Sequence, residues 1–340
     1  MPPSAALKIG FFEAEGWEEP VLRQAFPVDS LYLSPDRLAE DALPAERDFD
    51  ALAVFVNSKI NSGVLKEFPN LKLVTTRSTG YDHVDARTCT KRGVAAAYVP
   101  GYGDNTVAEF AFGLLLALTR KIYLGIDQVK ERGLFSFEGL RGVDLARRTM
   151  GVVGTGRIGR HTIKIARGFE MNVLAYDPRP DQAFAAAAGF VYKDLPDLLK
   201  ESDAVTLHCP YNKATHHLLN HKNIGLMKKG AYLINTARGG LVETDALVEA
   251  LQEGRLAGAG LDVLEEEGDV KDEVHFLAAG HPRREELRVL LENHILMKMP
   301  NVLITPHNAF NSKEALERIL RTTIENIQSF FAGKPVNLIP

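Results

Sequence analysis

The residues from Thr149 to Asp177 constrain the fold more than any others in the chain. A short apolar run, Met150 to Val153, meets Gly154, Gly156 and Gly159 in G-x-G-x-x-G spacing; a helix-compatible segment follows, and a second apolar run ends at Asp177. Strand, glycine turn, helix, strand and terminal acid in that order form a βαβ dinucleotide-binding signature. Gly154 permits the tight turn, Gly156 lets the backbone approach a pyrophosphate, and Gly159 lets the helix sit close against the strand. The helix N-terminus then faces the phosphates with its N–H groups and dipole. Asp177 is placed to accept hydrogen bonds from ribose hydroxyls and to repel a 2′-phosphate, which favours NAD over NADP. Arg179, two residues on, pulls the other way because it could pair with a phosphate.

At 340 residues the chain is long enough for two domains with substantial cores. A net charge of -4, with basic residues only in doublets such as Arg147-Arg148 and Arg283-Arg284, offers no footprint for nucleic acid or a membrane surface. The longest apolar run, Phe110 to Leu118, is too short to span a bilayer. Cys89 and Cys209 lie far apart and outside any C-x-x-C motif, so neither a disulfide framework nor a zinc site is expected. A cytoplasmic location fits, and the N-terminus lacks the basic and apolar regions of an export signal.

Residues 7 to 11, 51 to 56, 71 to 75 and 94 to 97 read as short buried strands separated by helix-compatible segments, a parallel α/β unit without a glycine fingerprint and the candidate substrate domain. Its strand ends carry Phe55-Val56-Asn57-Ser58 and Arg77-Ser78-Thr79-Gly80-Tyr81-Asp82; in the second, exposed N–H groups beside a glycine could grip a carboxylate, or form an ordinary turn. Pro100, Gly101 and Gly103 mark a hinge or boundary. From about Thr106 to Tyr123 a helix apolar on nearly all sides must be buried, in the core or in a subunit interface. Further strands are expected at 204 to 207, 231 to 235, 258 to 263 and 302 to 305, making 104 to 306 a doubly wound domain, and the apolar stripe within 313 to 331 predicts an amphipathic helix.

Three strand ends of this second domain carry unusual polar groups: Arg238 in Asn-Thr-Ala-Arg-Gly-Gly, Glu267 in Leu-Asp-Val-Leu-Glu-Glu-Glu, and His307 in Thr-Pro-His-Asn-Ala-Phe. Each follows an apolar run at its C-terminal end, the edge where doubly wound sheets bind ligands. Hydride transfer to a 2-oxo acid needs a carboxylate clamp, a proton donor for the developing alkoxide and a group that keeps the donor charged; Arg, His and Glu supply these. Singly each has a dull explanation, but together beside a dinucleotide site they point to catalysis. His208, His216, His217 and His221 show no acidic or thiol partner at ligand spacing, so no metal is expected.

Through Val-Gly-Thr-Gly-Arg-Ile-Gly, Leu-Ile-Asn-Thr-Ala-Arg-Gly-Gly, Gly-Leu-Asp-Val-Leu-Glu-Glu-Glu and Thr-Pro-His-Asn-Ala-Phe the chain resembles the D-isomer-specific 2-hydroxyacid dehydrogenases over essentially its whole length. The resemblance implies an α/β protein of two doubly wound parallel-sheet domains: a Rossmann NAD-binding domain over 104–306, and a flavodoxin-like substrate (catalytic) domain from 1–103 rejoined by 307–340. It implies Arg238 as substrate-binding and polarising, His307 as acid/base, Glu267 as its partner, and substrate contacts from Thr79, Gly80 and Tyr102. For NAD it implies Arg157, Ile158, Asp177, Cys209, Pro210, Thr215, Thr236, Ala237 and Asp262 beside the three glycines. The long segment from Asp262-Val263 to Asn301 and the His-Asn-Ala-Phe motif resemble the D-lactate dehydrogenase branch, although Phe55 and Val56 stand where that branch can present a tyrosine. Glu267 argues against the formate dehydrogenases. The expected activity is reversible hydride transfer between NADH and a small 2-oxo acid, foremost pyruvate and D-lactate, in a homodimer. A hydroxypyruvate/glyoxylate reductase, a phosphoglycerate dehydrogenase and an NAD(H)-sensing corepressor are the alternatives weighed.

Overall fold

The computed structural model describes residues 6–267 and 283–340. The chain divides into two compact units, Met1–Tyr102 with Ser312–Pro340, and Gly103–Asn311. The second crossing thus falls five residues later than the expected start at 307, because the turn carrying His307 is hydrogen-bonded to Asp262 and so stays with the second unit.

In the first unit β1 (Lys8–Phe11), β2 (Ser30–Leu33), β3 (Ala51–Val54), β4 (Leu73–Thr76) and β5 (Ala95–Ala97) form a parallel sheet in the order β2-β1-β3-β4-β5. Alternate residues serve opposite faces: Ala51, Ala53 and Leu73 pack with Leu320 and Ile327 of the helix Lys313–Phe331, while Leu52, Val54 and Val74 pack with Leu65 and Phe68. Burial on both faces is why these strands read as continuous apolar runs. The strand ends are tied by charge. Arg77 forms a buried ion pair with Glu18 and donates to the carbonyls of Phe12 and Glu13, and the Glu13 carboxylate accepts from the N–H groups of Phe55, Asn57 and Ser58.

In the second unit β6 (Thr149–Val153), β7 (Asn172–Tyr176), β8 (Val191–Tyr192), β9 (Ala204–Leu207), β10 (Ala231–Asn235), β11 (Leu256–Leu261) and β12 (Val302–Ile304) form a parallel sheet in the order β12-β11-β10-β9-β6-β7-β8. The order reverses at β6, between β9 and β7, which opens a crevice at its C-terminal end. The apolar helix ends at Thr119, not Tyr123: Lys121 takes a left-handed φ of 51° and starts a second helix, Ile122–Lys130. Asp104–Thr119 buries Leu114, Leu115 and Leu118 within its own unit, each contributing about 1.5–3 kcal/mol. Among the described residues no helix is long and apolar enough to cross a membrane.

Candidate active site

At the crevice Gly154 has φ +95°, and a Cβ there would lie 2.8 Å from the backbone of His208 and Cys209. A Cβ on Gly159 would fall 2.0 Å from the Gly154 carbonyl oxygen, so turn and helix are in van der Waals contact. A Cβ on Gly156 would meet nothing within 4 Å: open space lies over the N-terminus of the helix Arg157–Gly168, as a pyrophosphate requires. Arg157 in the first turn pairs with Asp104 at 2.7 Å and is mostly exposed, and Ile158 beside it is half-buried.

Asp177 ends β7 with its carboxylate turned to the glycine loop. Oδ2 accepts from Thr155 N at 2.8 Å and Thr155 Oγ1 at 3.0 Å, and Oδ1 accepts from Arg179 N at 2.9 Å. Tyr192 joins Thr155 Oγ1 at 2.9 Å, a support that sequence reading missed because Tyr192 belongs to a two-residue edge strand. Across the crevice the loop after β9 carries Cys209 and Pro210, whose carbonyl accepts from Thr215 Oγ1 at 2.7 Å. Burial pushes the Cys209 thiol up to about 11, so it acts as a small apolar surface. After β10, Ala237 N bonds Asn235 Oδ1, and the buried Thr236 hydroxyl has no hydrogen-bond partner among the described residues. An orphaned hydroxyl at this edge, the open space over Gly156 and the Asp177 carboxylate fit a dinucleotide with free ribose hydroxyls.

The catalytic candidates stand on the neighbouring strand ends. Asp262 follows β11 and is 1% exposed; its carboxylate accepts from Thr305 Oγ1 at 2.5 Å, Asn308 N at 2.8 Å and Ala309 N at 2.8 Å. Burial raises the carboxyl above the ordinary range, and those hydrogen bonds oppose it. They hold His307 at a left-handed φ of 53°, with its N–H donating to the Asp262 carbonyl at 2.8 Å. Both Asp262 oxygens thus accept from the His307 turn. From this turn His307 Nδ1 donates to Glu267 Oε1 at 2.8 Å, with the side chains 22% and 32% exposed. That leaves Nε2 as the nitrogen for proton exchange. Of the three glutamates Glu265 points elsewhere, to His217 and Thr244. Arg238 Nη1 donates to the Ala237 carbonyl at 2.8 Å, and its own carbonyl accepts from Asn235 Nδ2 at 2.9 Å. A cavity of about 500 Å³ lies beside the pair, with Glu267, His307, Met297 and Leu303 among its walls.

In the first unit the Thr79 hydroxyl donates to the Val99 carbonyl at 2.8 Å, the Gly80 carbonyl accepts from Ser78 Oγ at 2.6 Å, and the Tyr102 carbonyl accepts from Arg318 Nε at 2.6 Å.

The other histidines have partners that the sequence did not show. The His208 ring bonds the buried hydroxyls of Thr162 and Thr206, both at 3.0 Å, and burial pushes it down to about 3, so it is neutral. His216 meets Tyr211. His221 does have acidic neighbours, brought from beyond β10: with Glu243 and Asp245 it places three ligand-type atoms within 4.8 Å. Arg288 already pairs with Asp245 there.

A glycine-turn Rossmann sheet with a hydrogen-bonded histidine and carboxylate at its C-terminal edge fits a nicotinamide-dependent oxidoreductase, and the comparisons agree. Residues 112–309 match the family model "D-isomer specific 2-hydroxyacid dehydrogenase, NAD binding domain". The chain is 38% identical over 312 residues to a 2-hydroxyacid dehydrogenase homolog of Zymomonas mobilis, covering 90% of each. It is 38% identical over 300 residues to a glyoxylate reductase of Thermofilum pendens, covering 87% of this chain and 82% of that one. The crystal structure of D-lactate dehydrogenase from Aquifex aeolicus complexed with NAD and lactic acid superposes with a TM-score of 0.83 at 36% identity, covering 96% of both. The chain belongs to the D-isomer specific 2-hydroxyacid dehydrogenase family. It is an oxidoreductase, and its cofactor is NAD.

Proposed function

We propose that this enzyme reduces a small 2-oxo acid, pyruvate foremost, to the D-2-hydroxy acid. The observation that carries the reading is the 2.8 Å His307–Glu267 bond at the sheet edge that also bears Arg238. In the reductive direction Arg238 holds the substrate carboxylate and polarises the 2-oxo group, a task suited to its planar fork. Imidazolium His307 gives its Nε2 proton to the carbonyl oxygen, and Glu267 stabilises that charged form through Nδ1. NADH, when bound, supplies the hydride; Asp177 and the 154–159 turn orient it from the other side of the crevice. The resemblance assigns Thr79, Gly80 and Tyr102 of the first unit to substrate binding. Likeness to the NAD- and lactate-bound enzyme of Aquifex supports pyruvate. Likeness to the Thermofilum protein supports glyoxylate as the second reading.

The test is NADH oxidation with pyruvate, 2-oxobutyrate, phenylpyruvate, hydroxypyruvate and glyoxylate. Pyruvate is expected to give the largest kcat/KM. A larger value for glyoxylate establishes the second reading, and no turnover with any of the five overturns both.

We also propose a homodimer formed through the second unit. Its support is an exposed apolar run, with Ile122, Ile126 and Val129 on one helix and Phe135 and Phe137 at 96% and 91% exposure just beyond it.

A further inference from the structure

We propose that His217 and Glu265 are positioning residues whose hydrogen bond clamps the Arg238 loop to the segment carrying Glu267; this rests on the dehydrogenase reading above. His217 lies in the loop after β9, with a left-handed φ of 49°. Its N–H donates to the Gly240 carbonyl at 2.8 Å, two residues from Arg238, and its Nε2 donates to Glu265 Oε1 at 2.6 Å, two residues from Glu267. The other carboxylate oxygen accepts from Thr244 Oγ1 at 2.7 Å, at the far end of the Arg238 loop. The Glu265 carbonyl is held in turn by Asn293 Nδ2 at 2.8 Å.

One carboxylate, 12% exposed in its side chain, thereby joins three strand ends. The backbones it joins already touch. A Cβ on Gly239 would lie 2.0 Å from the Leu264 carbonyl, and one on Gly240 would lie 2.7 Å from the Tyr211 ring. Such contacts transmit a shift of either loop directly to the other, and the His217–Glu265 hydrogen bond sets which way they settle. Neither side chain reaches the reacting atoms, so both act through Arg238 and Glu267. Supports of this kind matter because displacing a catalytic group by about 1 Å costs up to ~100-fold in rate.

His217→Ala and Glu265→Gln are the test, the second being isosteric so that folding is retained. Each is expected to raise KM for pyruvate and to lower kcat, reducing kcat/KM between about 10- and 100-fold, while NADH affinity holds. His217→Gln, which keeps a donor, is expected to recover much of the loss. Combining His217→Ala with Glu265→Gln is expected to lose no more than the worse single change, as for two halves of one contact. Hydrogen–deuterium exchange is read beside the kinetics, with faster exchange expected in both 238–244 and 262–267. Unchanged kcat and KM with a lower melting temperature, or losses that multiply in the double variant, overturn the clamp. A wild type that turns over no 2-oxo acid, with the coupled rise in exchange still seen in the variants, overturns the 2-oxo acid reading and leaves the clamp standing.

Discussion

Burial alone would raise the Asp177 carboxyl, yet hydrogen bonds from Thr155 and Arg179 outweigh it and hold the group below the ordinary carboxylate range. It is therefore an anion throughout the physiological range, and a fixed anion at this strand end selects against a 2′-phosphate. Asp177→Ala is expected to narrow the NADH-over-NADPH preference by about tenfold, ~1.4 kcal/mol, measured as the ratio of kcat/KM values. A wild type that uses both equally well contradicts the assignment. His208 shows the opposite balance. Its ordinary value is 6.5 and burial takes it to about 3 in the folded chain. The unfolded chain therefore binds a proton below 6.5 that the folded chain refuses until about 3. The stability contribution is complete above 6.5 and is lost as pH falls through that window, at about 1.4 kcal/mol per pH unit. His208→Gln should flatten the melting temperature against pH between 6.5 and 4.5; parallel curves for the two proteins contradict it.

At the scale of elements, the strands legible in the sequence are those buried on both faces, such as β3, β4, β9 and β10, where apolar runs leave no ambiguity. The edge strands β2 and β8 escaped because their half-exposed residues make no such run. The glycine turn, Asp177, Arg238 and His307 were legible because each sits directly after a strand. Spacing does not separate Glu267 from the two glutamates before it. What separates them is backbone geometry: Glu266 takes a left-handed φ of 51°, which sends Glu265 and Glu267 to different partners. Spacing carries no trace of that, nor of the Asp262 carboxylate that builds the His307 turn from more than forty positions away in the chain.

For the whole molecule, the proposed homodimer rests on the exposed phenylalanines after the helix Ile122–Lys130. Phe135→Ser with Phe137→Ser is expected to shift the solution mass at micromolar concentration from two chains toward one, by sedimentation or light scattering. A wild type with the mass of one chain contradicts the homodimer. The chemistry stands or falls on the pair at the sheet edge. The most direct measurement is kcat for pyruvate reduction by Glu267→Gln beside wild type. A neutral amide at Nδ1 no longer balances the charge of the proton donor, so kcat is expected to fall by at least about tenfold while NADH binding holds. An unchanged kcat removes Glu267 from the proton-transfer pair.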